Sequence, residues 1–283
     1  MKINIRLEKP SDHYAVEELT REAFWEFWEP NRKICDEHLL VHRLWSVAAL
    51  VPELNLVAEA DGRLVGHIIY TKSKVVDDSG REYETLTFGP LSVLPEYQGM
   101  GIGRELMSYS FDEARKLGHR AVLIFGHPDY YPRVGFRRAA EFGITTADGQ
   151  NFDPFMAYPL YDGALDGVHG RYFIDSVYEQ LTEEAVFEFD KRFPHKDLFV
   201  TTPISILLDR LTPEARRAIE ESGCQSLQMM TCKSEREISE LPGIDAKAME
   251  AIHDVLRGHE VKWGARKNKE DSVGMSASPH KNF

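Results

Sequence analysis

The stretch PEYQGMGIGREL, residues 95–106, places Gly99, Gly101 and Gly103 within five positions and then runs into a helical pattern. Glycine loses more backbone freedom on folding than any other residue, so such a cluster needs a reason. Downstream, Ile102, Leu106, Met107, Phe111, Ala114 and Leu117 recur at helical spacing, and Gly118 stands where a C′ glycine belongs. Upstream, REYETLTFGPLSVLP reads as a strand. A strand end feeding a helix N-terminus suits a phosphate, because free N–H groups and the positive end of the helix dipole converge there. A Walker loop would need Gly-Lys-Ser/Thr, but Gly103 is followed by Arg104-Glu105. A dinucleotide GxGxxG needs a third glycine at position 106, which is leucine, and should follow the first strand, whereas this loop follows about four. What remains is Gln98–Gly103, a Q-x-x-G-x-G loop.

Working outward, KINIRL alternates with period two and predicts a first strand. Ser11-Asp12 can cap a helix through YAVEELTREAFWEFWE, ended by Pro30, and DEHLLVHRLWSV predicts a second helix. NLVAEA, Asp61-Gly62 and LVGHIIYTKSKVV form a hairpin signal, and Asp78-Ser79-Gly80 turns the chain again. After the glycines and their helix, RAVLIFG is a short apolar run suited to a strand buried on both faces. DYYPRVGF and strand-like pieces out to FMAYPLY follow. This is an α/β chain with one βαβ-like crossing, and the glycines sit at its strand-to-helix junction.

Composition bounds the function. The chain has 283 residues, 42% of them hydrophobic, as expected of an ordinary globular protein of one large domain or two unequal ones. The formal net charge of −12 argues against broad binding to nucleic acid or anionic membrane and mildly favours cationic substrates. Cys35, Cys224 and Cys232 form no metal or redox spacing, which fits a reducing, cytoplasmic setting. The N-terminus has no apolar signal core, and no stretch approaches the roughly 18 apolar residues of a membrane span.

The Q-x-x-G-x-G loop resembles the signature of the GNAT family of N-acetyltransferases. LTFGPLSVLPEYQGMGIGRELM is similar to the family's acetyl-CoA-binding segment, and FGHPDYYPRVGF resembles a later segment of a bacterial branch ending in Tyr-x-x-x-Gly-Phe. The resemblance covers about residues 1–165 and implies a mixed, mostly antiparallel sheet with flanking helices. It implies acetyl-CoA as co-substrate, with no metal. Backbone N–H groups of Gln98, Gly99, Met100, Gly101, Ile102 and Gly103, with Arg104 beside them, would hold the pyrophosphate. Leu91, Ser92 and Val93 would pair with the pantetheine arm as if it were an added strand. A primary amine, small-molecule or peptide, would attack the thioester directly. Tyr131, four residues before Gly135, matches the family's general acid, and a tyrosine with its pKa of about 10 keeps its proton at neutral pH. Where many members carry asparagine after the fifth strand, this chain has Gly126-His127-Pro128. Glu84, His127 and water are open as proton acceptor. Phe24, Trp25 and Trp28, among carboxylates in AFWEFWEP, would suit an amine pocket.

Residues 166–203 read as a helical extension and linker. From 204 the pattern is helical: Thr212-Pro213 starts one helix, Gly223 ends it, and Ser234 with Glu237 makes a capping box. Leu241-Pro242-Gly243-Ile244 is a hairpin turn. Residues 204–263 resemble a helix-hairpin-helix unit, and specifically the C-terminal domain of the RNA polymerase alpha subunit. That resemblance implies a nucleic-acid partner, against which the excess of Asp and Glu around the turn speaks. The tail, 264–283, is polar and expected to be disordered. A second reading is an acyl-CoA-binding regulator without turnover that docks on nucleic acid or polymerase through this module. Homo-oligomerisation is left open.

Overall fold

The computed structural model describes residues 2–25, 34–128, 130–196, 202–231, 233–261 and 263. They form two compact units, the first from residues of 1–25 and 35–195 and the second from residues between 196 and 270.

The first unit holds β1 (Ile3–Leu7), α1 (His13–Trp25), α2 (Glu37–Leu44), β2 (Leu56–Ala60), β3 (Arg63–Val76), β4 (Glu82–Val93), α3 (Ile102–Lys116) and β5 (Ala121–Phe125). After them come β6 (Arg137–Arg138), β7 (Ile144–Thr145), β8 (Phe155–Pro159), β9 (Gly170–Phe173) and α4 (Glu183–Asp190). The strands make one sheet in the order β1-β2-β3-β4-β5-β8-β6, with β9 pairing β3 and β7. Among the described strands, only β4–β5 and β7–β9 run parallel. The β2–β3 turn has both Asp61 and Gly62 at positive φ, as the Asp-Gly signal requires. Because β9 belongs to this sheet, residues beyond 165 add a strand and α4 to the first unit. The expected helical extension and linker over 166–203 is corrected on that point, since it also contains β9. The α1 pattern is helical to Trp25, and its expected continuation to Pro30 lies outside the described residues.

Two features position α3. Its buried stripe, Ile102, Leu106, Met107, Phe111 and Ala114, packs on the sheet core. Gly66 of β3 makes room for it, since a Cβ there would stand 3.0 Å from Leu106 Cδ1 and 3.1 Å from Ile102 Cγ2. The helix therefore lies close to the strands at its N-terminal end. Gly118, at φ 84°, closes the other end by donating to the Arg115 carbonyl.

The second unit consists of α5 (Ser205–Leu208), α6 (Pro213–Glu221), α7 (Leu227–Met230), α8 (Glu235–Ser239) and α9 (Ala246–Gly258). Leu207, Ile219, Leu227, Met230, Ile238 and Ile252 are its core. Thr212, Ser226, Ser234 and Asp245 cap α6 to α9 with their side chains, and Ser234 with Glu237 forms the expected capping box. The tail and Cys232 lie outside the described residues.

Candidate active site

β4 and β5 are registered at a single position, Leu86↔Val122. Beyond it, β5 pairs with β8 and β4 with β3, so the two parallel strands diverge. The cause is local. Two residues of β4, Gly89 and Pro90, stand opposite the single Ile69 of β3, between the Ile68↔Leu91 and Tyr70↔Phe88 pairs. Such a bulge bends the strand that carries it, and Pro90 has no N–H to donate to the ladder. The result is a slot bordered by Leu91, Ser92 and Val93, whose strand partners lie on the β3 side.

At the end of β4 the chain makes a 3₁₀ turn, Pro95–Tyr97, and enters the glycine loop. Gly99 and Gly101 adopt φ 80° and 84°, the left-handed region where a side chain is strained. Gln98 staples the loop to the strand: its Nε2 donates to the Val93 carbonyl at 3.0 Å. Its side chain is therefore used within the loop. The first α-helical bond of α3 runs from the Glu105 N–H to the Gly101 carbonyl, 3.0 Å, so the N–H groups before it have no place in the ladder. Beside them opens a pocket of about 190 Å³, floored by Val93 and the loop and walled by Arg104, Tyr130 and Arg133. A Cβ on Gly103 would sit 3.7 Å from Leu91 and Val93 side-chain carbons and 4.0 Å from the Tyr130 hydroxyl, filling this cradle. Neither Arg104 nor Arg133 has a carboxylate partner among the described residues, and both are exposed. The arrangement suits an anion.

Tyr131 opens the 3₁₀ turn Tyr131–Val134. Its ring lies between Gly126, just past β5, and Phe88 of β4, 6.2 Å between centroids, so it bridges the diverging strands. The side chain is fully buried, and its hydroxyl has no hydrogen-bond partner among the described residues. Burial, helped by Tyr130 and Tyr70 nearby, holds that hydroxyl protonated well above the ordinary tyrosine value. An orphaned buried hydroxyl is unusual, because leaving one unmade costs about 1–3 kcal/mol.

Other expected residues land elsewhere. Glu84 is not brought to this site. It lies four residues before Phe88, about 13 Å along β4, where it is exposed and paired with Lys72 at 2.9 Å. The Ser92 hydroxyl is committed to Thr20 of α1 at 3.0 Å, so only its backbone borders the slot. Phe24 is buried in the core, 1% exposed, and cannot wall an open pocket, while Trp25 stacks under Arg21. Trp28 lies outside the described residues. Met100 is 59% exposed at the tip of the loop. Tyr97, Tyr130 and Arg133, which line the pocket, were not singled out as binding residues from sequence. Only the folding of the 3₁₀ turn against the loop reveals them. Among the described residues no three His, Cys, Asp or Glu side chains could hold a metal ion.

Comparison with known proteins agrees with this architecture. Residues 18–138 match the acetyltransferase (GNAT) family. Over 167 residues the chain is 31% identical to the uncharacterized N-acetyltransferase YhbS of Escherichia coli, spanning 59% of this chain and 92% of YhbS. The chain belongs to the GNAT family. A second relative, the uncharacterized N-acetyltransferase YjhQ of Escherichia coli, is 38% identical over 89 residues, 31% of this chain and about half of YjhQ (49%). Among solved GNAT structures, YhbS from Escherichia coli in complex with CoA superposes with a TM-score of 0.56 at 27% identity, over 64% of this chain and 94% of that one. A GNAT acetyltransferase from Brucella melitensis in complex with acetyl-CoA gives 0.50 at 28% identity, over 62% and 98%. Membership makes the chain an acyltransferase, built on the family's mixed, mostly antiparallel sheet. No described helix is long and apolar enough to cross a membrane.

Proposed function

We propose that this protein transfers the acetyl group of acetyl-CoA to a primary amine, on a small molecule or a peptide, by direct attack of the amine on the thioester. Bound acetyl-CoA supplies the activated acyl group and a thiolate leaving group. The chain's residues do the rest. The N–H groups of residues 99–103 and the α3 N-terminus hold the pyrophosphate, with Arg104 and Arg133 adding positive charge; Gln98, expected among these donors, gives its N–H to the Pro95 carbonyl instead. The backbone of Leu91–Val93 orients the pantetheine along the free side of β4. Tyr131 donates its proton to the departing sulfur. Glu84 stands at a distance, which leaves water and His127 as proton acceptors for the amine. The observation that carries this reading is the buried, partnerless Tyr131 hydroxyl between two strands that part in front of it. A packing tyrosine would have found a partner inside the core, as Tyr70 does with Ser110 at 2.7 Å.

The second unit is read as a helix-hairpin-helix module serving structure or protein contact. Asp245 caps α9 beside the hairpin turn, donating no charge to a phosphate and accepting the Ala248 N–H at 2.8 Å. A carboxylate in that place repels nucleic acid. The regulator reading gains nothing from this geometry.

The test is calorimetric titration with acetyl-CoA of the wild type and of Gly101→Glu. The variant places a side chain at φ 84° and a negative charge at the anion cradle. Micromolar binding by the wild type, weakened at least about 100-fold in a folded variant, is the expected result. A folded wild type that binds nothing overturns the proposal.

A further inference from the structure

Gly126 has no conformational reason to be glycine. Gly99, Gly101 and Gly135 all adopt positive φ; Gly126 does not. Its reason is space. A Cβ at this position would stand 2.5 Å from both Cδ2 and Cε2 of Tyr131 and 3.2 Å from Ile124 Cδ1. Contacts that short cannot be accommodated unless one partner moves.

The backbone is not free to be that partner. The Gly126 N–H donates to the Pro154 carbonyl at 2.8 Å, and the preceding Phe125 is registered with Phe155 of β8. The Tyr131 ring is also confined on its other sides. Phe136 and Tyr130 meet it edge-on with centroids 5.2 and 5.1 Å away, and the Tyr131 carbonyl accepts the Phe136 N–H at 3.1 Å. A single added methyl therefore leaves the ring one response, rotation off its present seat, which carries the hydroxyl away from the place where β4 and β5 part.

We propose that Gly126 is a positioning residue whose missing side chain forms the seat of the Tyr131 ring and so fixes where the Tyr131 hydroxyl points. The consequence for catalysis rests on the reading of Tyr131 as the acid; the seat itself does not. Nothing in Gly126 touches the phosphate pocket, whose walls come from the glycine loop, Tyr130 and Arg133. Loss of the seat thus separates ligand binding from turnover.

Three measurements on the full chain test this. The first is near-ultraviolet tyrosinate absorbance at about pH 10, where an exposed tyrosine is half ionised and burial keeps Tyr131 protonated. Gly126→Ala is expected to gain about half a tyrosinate relative to wild type at that pH, and Gly126→Ala/Tyr131→Phe to gain none. The second is thermal melting: Gly126→Ala lowers Tm in the wild-type background but not in Tyr131→Ala, where the ring it collides with is gone. The third is hydrolytic release of CoA from acetyl-CoA, read as free thiol, beside calorimetry with CoA. Gly126→Ala should match Tyr131→Phe in its loss, on the order of 100-fold, with CoA affinity within about twofold of wild type. The double variant Gly126→Ala/Tyr131→Phe should lose nothing further. An unshifted tyrosinate count with Tm unchanged in Gly126→Ala overturns the seat. If Tyr131→Phe alone releases thiol at the wild-type rate, the acid role of Tyr131 falls, while the first two measurements still decide the seat.

Discussion

Two polar regions of the first unit are treated in opposite ways. Between α1, α2 and α4, charges answer one another. Arg21, 1% exposed, donates to both oxygens of Asp190 at 2.6 and 2.9 Å. His38 Nε2 stands 3.1 Å from the same carboxylate, and Glu17 faces His42 at 2.8 Å and Arg192 at 3.3 Å. At the parting of β4 and β5, by contrast, the Tyr131 hydroxyl, the N–H groups of residues 99–103 and two guanidinium groups meet no answering group among the described residues. Both regions are polar. Opposite charges paired across helices fasten those helices together; donors and cations without a partner are shaped for an anion to answer them.

If that distinction is right, breaking the first cluster costs stability and leaves ligand binding alone. Asp190→Ala leaves the Arg21 guanidinium buried without its partner, which should destabilise the fold by about 3 kcal/mol, measured by urea unfolding, with acetyl-CoA affinity unchanged in the folded protein. The pH dependence follows from the same contacts. Burial pushes the Asp190 carboxyl up, but hydrogen bonds from His38 and Arg21 outweigh it and hold the group at about 2, below its ordinary 3.8. A depressed carboxyl stabilises the fold above its unfolded value, and that stability is lost as pH falls from about 4 toward 2. His38 acts earlier: burial opposes its charging and holds it below 6.5, so stability also declines as pH drops below that value. Asp190→Asn should remove the more acidic of the two losses. An Asp190→Ala protein as stable as wild type would collapse the contrast between the two regions.

The mirror experiment is smaller. Arg133→Gln and Arg104→Gln remove exposed cations from the pocket wall without breaking any ion pair. Each should weaken CoA binding by about 3- to 10-fold, with the loss shrinking as salt screens the interaction, and Tm should stay within a degree or so of wild type. Equal affinity in both variants at low salt would mean that the pocket wall takes no part in holding the anion.

The two regions were unequally legible in the sequence. The glycine loop announced itself because its chemistry is local: three glycines, a strand before them and a helix after them lie within one continuous stretch, and the helix ran from Ile102 to Lys116 as its periodicity demands. Tyr131 was singled out through the family resemblance, by its place four residues before Gly135-Phe136, and its role stands as a proposal. What the sequence hid was whatever depends on a distant partner. Arg21 and Asp190 are 169 positions apart, and nothing in either neighbourhood announces the other. Arg133 reaches the pocket only because a 3₁₀ turn folds back against residues 98–104. Phe24 and Trp25 looked like a pocket wall because aromatic residues beside carboxylates suit an amine, yet the α1 periodicity turns Phe24 inward. Gly126 looked like a missing ligand contact, and its reason emerges only from the ring lying against it.

Glu84 sharpens the same lesson with the smallest expected effect. It was a reasonable base from sequence, standing on the strand that leads to the slot. The strand is long, however: β4 runs from Glu82 to Val93, and its bulge at Gly89-Pro90 marks where it leaves β5. Glu84 lies on the far side of the Leu86↔Val122 register point from the slot, opposite Lys74 of β3, and answers Lys72 at the surface. Exposed pairs of this kind contribute at most about 1 kcal/mol. Glu84→Gln should therefore leave free-thiol release from acetyl-CoA within about twofold of wild type, with CoA affinity and Tm barely moved. A loss of 100-fold or more with binding intact would be the size of effect a general base produces. It would require the substrate to approach along the closed half of β4, and the division between the completed and the incomplete ends of that strand would then have to be redrawn.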